Sequence, residues 1–330
     1  MQQIKFGIIG TNSISDKIIA AGGGDKRFVL SAVYSRTEET AKKFAEKHNI
    51  PHTFTSLQKM ASSSVIDAVY IASPNSFHAQ QSILFMEHGK HVLCEKPLAS
   101  NAKEVKKMIE TSQKKRVTLM EAMMPTLKRE FDVVQDSIKK IGQVRHYFAS
   151  YCQYSSRYDD LRAGIVHNAF KPEFSNGAVV DIGTYTIYPM IVLFGKPKKV
   201  NAAGLITKSG VDANGTVHFE YDRMNATVIY SKISDSSLPS EIQGEDGYII
   251  IDKINYMKEI SLKYRDRDKK EYLFPIQDFD DYFHEIKEFI DLIIAGKIES
   301  EINSHQNSLE TIEIIDEIRK QIGVSFPADL

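Results

Sequence analysis

Apolar and polar positions follow two different periods along the first third of the chain. Short apolar runs predict strands over residues 4–9, 29–35, 67–72, 91–94 and 117–121. Between them, apolar residues recur at helical spacing over 13–21, 38–48, 78–88 and 102–115, with Phe44 on the apolar face of the second helix. Several strands are apolar throughout, as a sheet covered on both faces requires. Strand–helix alternation with short links predicts right-handed parallel crossovers, and hence a doubly wound sheet.

Beyond Met123 the pattern changes. One helix is predicted over 131–138, and then strands crowd together at 144–153, 200–207, 216–221, 226–231 and 248–252. "DANGT" and "YDRMN" read as hairpin turns, and the charge run "KYRDRDKKEY" as a solvated hairpin. Helical patterns over 279–295 and 304–322 close the chain, the second carrying Leu309, Ile312, Ile315 and Ile318 on one stripe. The expected fold class is α/β. An N-terminal doubly wound Rossmann domain spans residues 1–122, and an α+β domain with a large, mainly antiparallel open sheet spans 123–330. Helix 304–322 is expected to pack back on the first domain. "VNAAGLIT" and "ATVIYSKI" run apolar or alternate, which suggests a sheet face buried against another copy of the chain.

Composition narrows the function classes. A chain of 330 residues suits two domains, or one elaborate one. With 42 basic and 43 acidic residues its net charge is -1, so nothing electrostatic points to nucleic acid or an anionic membrane. Cys94 and Cys152 sit in different segments, which argues against a disulfide framework; no Cys/His cluster has zinc-site spacing, and no metal is expected. The chain enters a strand at once, and no later run approaches the roughly 18 apolar residues of a membrane span. The expected compartment is a reducing cytoplasm.

The first candidate site is "FGIIGTNSISDKII", at the junction of the first strand and first helix. A dinucleotide fold needs small residues there so that the backbone can approach a pyrophosphate at the helix N-terminus. Against the G-x-G-x-x-G template the run reads Gly10, Asn12, Ser15, and Asn tolerates a left-handed backbone better than most residues. A tight turn without a nucleotide is the plain alternative. The second strand ends in Ser35 and Arg36 where an NAD site usually carries an acid for the ribose hydroxyls. A hydroxyl and a fixed cation suit a 2′-phosphate, which favours NADP(H) over NAD(H), unless Arg36 only opens a surface loop. Two further oddities, "IASPNSFH" and "CEKP", follow later strands at their carboxyl ends, where open α/β sheets gather ligands.

Taken together, "IASPNSFHAQQSILFMEHGKHVLCEKPLASNAKE", "AVYSRTEETAKKFAEKHNIP", "FKPEFSNGAVVDIGTYTIYPMIVLFG" and "GEDGYIIID" resemble, in order and over nearly the whole chain, the glucose–fructose oxidoreductase / inositol dehydrogenase / MocA family. "DIGTY" and the "MEA" at Met120–Ala122 are most similar to its dihydrodiol dehydrogenase and glucose–fructose oxidoreductase branch. The resemblance implies that Gly10, Thr11, Asn12, Ser13 and Ile14 with Ser35 and Arg36 bind the cofactor. It also implies that Ser73, Pro74, Asn75 and His78 line its nicotinamide side and that Glu95 binds near the nicotinamide ribose. Lys96 would touch that ribose and the substrate hydroxyl, and the Lys96–Pro97 bond is expected to be cis. Asp181 and Tyr185, four apart on one helix, would share a face and meet the nicotinamide from the second domain. Many relatives carry His at the position of Tyr185, and the Tyr form matches the branch just named.

The activity implied is hydride transfer between a nicotinamide and a CH–OH group of a sugar, polyol or cyclic diol. Tyr185 would serve as acid/base, tuned by Lys96, with Asp181 positioning the substrate or Lys96. "RYDDLRAGIVHNAFKPEF" supplies Arg157, Arg162, His167 and Asn168 as candidate hydroxyl ligands, without a spacing that selects among them. Two rivals are a cofactor-retaining isomerase or lyase, and a non-catalytic NADP(H) sensor. A homodimer or homotetramer through the second domain's sheet is expected.

Overall fold

The computed structural model describes residues 2–273 and 281–330. Contacts divide the chain into two compact units, Met1–Met124 with Phe279–Leu309, and Pro125–Asp278 with Glu310–Leu330.

The first unit begins with β1 (Ile4–Ile9), α1 (Ser13–Gly22), β2 (Phe28–Tyr34), α2 (Glu38–His48), β3 (His52–Phe54), α3 (Leu57–Ala61) and β4 (Ala68–Ile71). It continues through α4 (His78–Glu87), β5 (His91–Glu95), α5 (Ala102–Lys115) and β6 (Leu119–Ala122). Its six strands stand in the order β3-β2-β1-β4-β5-β6 and every pairing is parallel. Helices covering both faces account for the all-buried pattern of β4 and the near-complete burial of β1 and β5. Asn12, Thr37, Ser56 and Asn101 start α1, α2, α3 and α5 by accepting a first-turn backbone N–H on a side-chain oxygen. Elements β3 and α3 have no counterpart among the sequence expectations. They are three and five residues long, and β3 is largely exposed, so neither carries a readable period.

The second unit runs α6 (Arg129–Ile138), β7 (Val144–Cys152), α7 (Tyr158–Arg162), α8 (Thr184–Phe194), β8 (Lys199–Ile206), β9 (Asp212–Glu220) and β10 (Asn225–Ser231). Strands β11 (Ser240–Gly244), β12 (Gly247–Ile251), β13 (Ile260–Tyr264) and β14 (Glu271–Tyr272) follow. The eight-stranded sheet has the order β14-β13-β12-β11-β7-β10-β9-β8, antiparallel except for β7 against β10. One face is core: Tyr147, Ala149, Val217, Val228, Ile242, Ile249 and Leu262 are buried, and α6 and α8 pack on strands of this sheet. "DANGT" is not a turn. Asp212–Glu220 is one strand, and the reversal comes earlier, at Gly210 with φ +91°, where the Thr207 N–H donates to the Val211 carbonyl. By length and mean hydropathy the helical stretch Pro172–Phe194 could cross a bilayer, but its most apolar window is mostly buried inside the protein, as in a core helix.

Two helices close the chain, α9 (Phe283–Ile294) and α10 (His305–Ile322). The first two residues of the helix expected over 279–295 lie outside the described residues. Helix α9 belongs to the first unit rather than the second. Phe289 meets the Phe6 ring at 5.9 Å, and Asp291 pairs with Arg27 at 2.6 Å. Helix α10 is divided between the two units. Only its first turn falls in the first unit, where His305 Nε2 contacts the Leu119 carbonyl at 3.1 Å. From Glu310 on it belongs to the second unit, because Gln321 completes the edge of β8 there. The Gln321 amide donates to the Val200 carbonyl at 2.8 Å and accepts from the Ala202 N–H at 2.8 Å.

Candidate active site

The strand order of the first unit reverses between β1 and β4, so their carboxyl ends open a crevice outside the sheet. Gly10 leaves β1 with φ +108°, and a Cβ there would lie 2.6 Å from the Ala72 carbonyl oxygen. Glycine is therefore required at this position on two counts, backbone conformation and close approach. Asn12 is extended (φ -100°), so its tolerance of left-handed backbone is not what places it here. Its side chain works instead. The amide donates to the Ala72 carbonyl at 2.8 Å, and the oxygen accepts from Ser15 N at 3.2 Å, which caps α1 and ties the turn to the end of β4. Ser15 Oγ donates back to the Gly10 carbonyl at 2.8 Å. The residues fit a dinucleotide: a glycine turn held against β4, with the first-turn backbone of Ser13 and Ile14 at the positive end of α1. Thr11 lies inside this turn. Ser35 is half-buried at the end of β2 and Arg36 is exposed beside it, before the Thr37 cap.

β5 ends at Glu95, and the chain turns there through Lys96 and Pro97, with a cis Lys96–Pro97 bond. Three groups brace it. His78 is buried, with Nδ1 2.9 Å from the Pro97 carbonyl and Nε2 2.9 Å from the Ser73 carbonyl. Its ring thus clips the 73–78 turn to the 95–97 turn, and burial lowers its pKa. Tyr70, fully buried on β4, donates its hydroxyl to Glu95. Burial pushes the Glu95 carboxyl up, opposed by that hydrogen bond and by the Lys96 ammonium. Glu121, on β6, accepts the Leu98 N–H at 3.0 Å. Ser73 donates to Gln81 at 2.7 Å, and Pro74 and Asn75 lead half-buried into a single 3₁₀ turn before α4. The residues expected to face the cofactor, Gly10–Ile14, 35–36, 73–78 and 95–97, therefore all lie at the carboxyl edge of one parallel sheet.

In the second unit Asp181 sits in a π-helical turn, Val179–Gly183, that runs straight into α8 with Tyr185 in its first turn. Such single π turns recur at functional sites. The turn is seated on buried Asp212, whose Oδ2 accepts the Val179 N–H at 2.7 Å. Burial pushes the Asp212 carboxyl up to about 6, and a Cβ on Gly177 would lie 2.2 Å from its other oxygen. Lys232, buried just beyond β10, donates to Asp181 Oδ2 at 2.7 Å. Tyr185 meets Tyr151 of β7 edge-on, ring centroids 5.6 Å apart. In the register Tyr151 stands beside Tyr230, two residues before Lys232, so Asp181 and Tyr185 lie over one end of the β7–β10 pair.

The hydroxyl-ligand candidates fare differently from one another. Arg162 is exposed and paired with Asp159 at 3.3 Å, and His167 pairs with Asp160 at 2.7 Å. Asn168 is exposed at the start of a 3₁₀ turn. Sequence reasoning missed Tyr70, Glu121, Asp212 and Lys232. Three of the four carry an ionisable group inside or just beyond an apolar strand, which is the signal that would have found them.

Glu121 carries a pH dependence. Burial pushes its carboxyl up to about 7 from an ordinary 4.5, with the Ser308 hydroxyl and the Leu98 N–H opposing the rise. The folded chain thus keeps a proton that an unfolded glutamate releases. The stability from that group is full below about pH 4.5 and is lost as pH rises through about 7. Glu121→Gln should therefore gain stability relative to wild type between about pH 5 and 8, by up to about 3 kcal/mol. Paired denaturant melts across that range measure the difference, and a flat difference curve would refute the burial argument.

Comparison with known proteins agrees with this two-part fold. Residues 4–123 match the family model of the oxidoreductase family, NAD-binding Rossmann fold, and residues 137–250 match the GFO/IDH/MocA C-terminal domain. The chain is 51% identical over 326 residues, 99% of each chain, to scyllo-inositol 2-dehydrogenase (NADP(+)) IolU of Bacillus subtilis (strain 168). It is 29% identical to trans-1,2-dihydrobenzene-1,2-diol dehydrogenase of Xenopus tropicalis, over 98% of this chain and 99% of that one. Among solved structures, levoglucosan dehydrogenase in complex with NADH shares the fold, with a TM-score of 0.85 and 20% identity over 97% of this chain and 98% of that one. The 3-ketoreductase KijD10 from Actinomadura kijaniata, in complex with NADP and TDP-benzene, does so with a TM-score of 0.84 at 20% identity over the same shares. The chain belongs to the Gfo/Idh/MocA family of oxidoreductases.

Proposed function

We propose that this oxidoreductase uses NADP(H) to interconvert a secondary hydroxyl and a carbonyl on a polyol or sugar ring of the inositol class. The full-length 51% identity to an NADP-dependent scyllo-inositol dehydrogenase carries the reading. The absence of an acid at the end of β2, where Ser35 and Arg36 stand, supports the 2′-phosphorylated cofactor. The bound nicotinamide supplies the hydride acceptor or donor. The chain's own residues do the remainder. Gly10–Ile14 take the pyrophosphate, Arg36 the 2′-phosphate, and Ser73, Pro74, Asn75, Glu95 and Pro97 shape the nicotinamide side, with His78 acting indirectly as the clip between the turns.

Tyr185 is assigned as acid/base, taking the hydroxyl proton at Oη in oxidation and returning it in reduction. A free tyrosine titrates at about 10, so a cation beside the substrate must favour the phenolate. Lys96 is assigned that task and the orientation of the hydroxyl, and Asp181 holds the substrate. That Lys96 and Tyr185, from different units, act on one substrate is part of the proposal. Asn168, His167 and Arg162 remain candidates for selecting the ring, Asn168 foremost because the other two are engaged by Asp160 and Asp159. The outer face of the eight-stranded sheet, with Phe148, Ile229 and Ile250 half-buried, is assigned to a second copy of the chain.

Three outcomes test these assignments. Tyr185→Phe and Lys96→Met should each abolish turnover of scyllo-inositol, followed as NADPH absorbance, while the NADPH Kd stays within about twofold; an active Tyr185→Phe enzyme removes the acid/base assignment. Arg36→Asp should reverse the NADPH-over-NADH preference in kcat/KM, and an unchanged preference removes the reason for choosing NADP. Light scattering should give a dimer or tetramer that Ile250→Asp shifts toward monomer, whereas a wild-type monomer at micromolar concentration would sink the interface.

A further inference from the structure

Lys232 is a lysine buried at 3% exposure, and its ammonium gathers three groups from two segments. It donates to Asp181 Oδ2 at 2.7 Å and to the Ala169 carbonyl at 2.9 Å, and it stands 4.7 Å over the centre of the Phe170 ring. Its own backbone is fixed on both sides, with its N–H donating to the Ala213 carbonyl at 2.9 Å and its carbonyl accepting from Ser155 at 2.8 Å. A second carboxylate, Asp212, feels the same cation. Burying an ammonium without partners is costly, and here carboxylate, carbonyl and ring face together meet that cost.

The contacts connect two parts with different tasks. Asp181 sits in the middle of the π turn that leads to Tyr185, while Ala169 and Phe170 close the short 3₁₀ turn that begins at Asn168. We infer that Lys232 is a positioning residue. Its ammonium holds the Asp181 carboxylate and the 168–170 turn in fixed relation, and so sets how the acid/base helix and the ring-selecting loop meet one polyol. The inference rests on the reading of Asp181 and Tyr185 given above.

The test is a mutant cycle on the full-length enzyme with NADPH and scyllo-inositol. Lys232→Met should lower kcat by up to about 100-fold, the scale of a misplacement near 1 Å, and raise the polyol KM, while the NADPH Kd holds. Adding Lys232→Met to Asp181→Asn should cost little beyond Asp181→Asn alone, because the carboxylate that the ammonium positions is already gone. The melting temperature should fall in Lys232→Met, which strands a carboxylate, and recover partly in the double variant. A folded Lys232→Met enzyme with wild-type kcat and KM, or losses that simply multiply, would overturn the inference. Should Lys232→Met not fold, Lys232→Gln gives the same readouts with a neutral donor of similar reach. Wild-type turnover in Asp181→Asn and Tyr185→Phe would instead remove the parent reading, leaving the melting-temperature coupling of residues 181 and 232 to be judged separately.

Discussion

The parallel pairing of β1 with β4 is the constraint on which the nucleotide unit depends. Parallel strands must all end at one edge, and the helices that follow β1 and β4 leave in opposite senses, so the two strand ends cannot be covered by their own connections. The chain closes that gap with small polar contacts rather than bulk. Gly10 passes too near the Ala72 carbonyl for any side chain, and the Asn12 amide reaches across to the same carbonyl. One edge therefore carries the glycine turn, the end of β2, the 73–78 turn and the Lys96 turn, and His78 locks the last two together.

The second unit solves a similar problem with a single exception to its antiparallel rule. Strands β7 and β10 run parallel, so Cys152 and Ser231 leave the sheet side by side. The segment after β7 leads into the loop that bears Asn168, and the residue after β10 is Lys232. Backbone bonds from Gln153 to Ser231 and from Ser155 to Lys232 keep the two exits together for a few residues more. The ammonium arrives under the loop because of strand direction, not because of any local preference of lysine.

Much of this was legible in the chain. The alternation of apolar runs with helical periods predicts the parallel sheet, since burial on both faces leaves strands no polar residue to alternate with. The first glycine turn, "SPN" and "EKP" could be placed because each breaks the rhythm at a strand end, while the roles expected of the last two came from the family resemblance. The "DANGT" segment misled, because Asn and Gly favour turns locally while pairing with β8 and β10 holds this segment extended. Asn12 was singled out for the wrong property, as its value lies in a side-chain bond to a residue sixty positions away. Lys232 and Glu121 left only a faint local mark, a charge inside or just beyond an apolar strand. A lone lysine after an apolar strand, or a glutamate inside one, gains meaning only from partners that sequence distance hides: Asp181 is 51 positions from Lys232.

The division of labour around Lys232 bears on how such an enzyme can diversify. Residues 156–167 are mostly surface, tied down at one end by Ser155 and at the other by Ala169 and Phe170. If Lys232 positions this loop as inferred, the span can be rewritten without touching the hydride-transfer residues, provided the loop returns a carbonyl and an aromatic face to the same cation. Because none of residues 156–167 is buried, such changes remove little from the core of the unit.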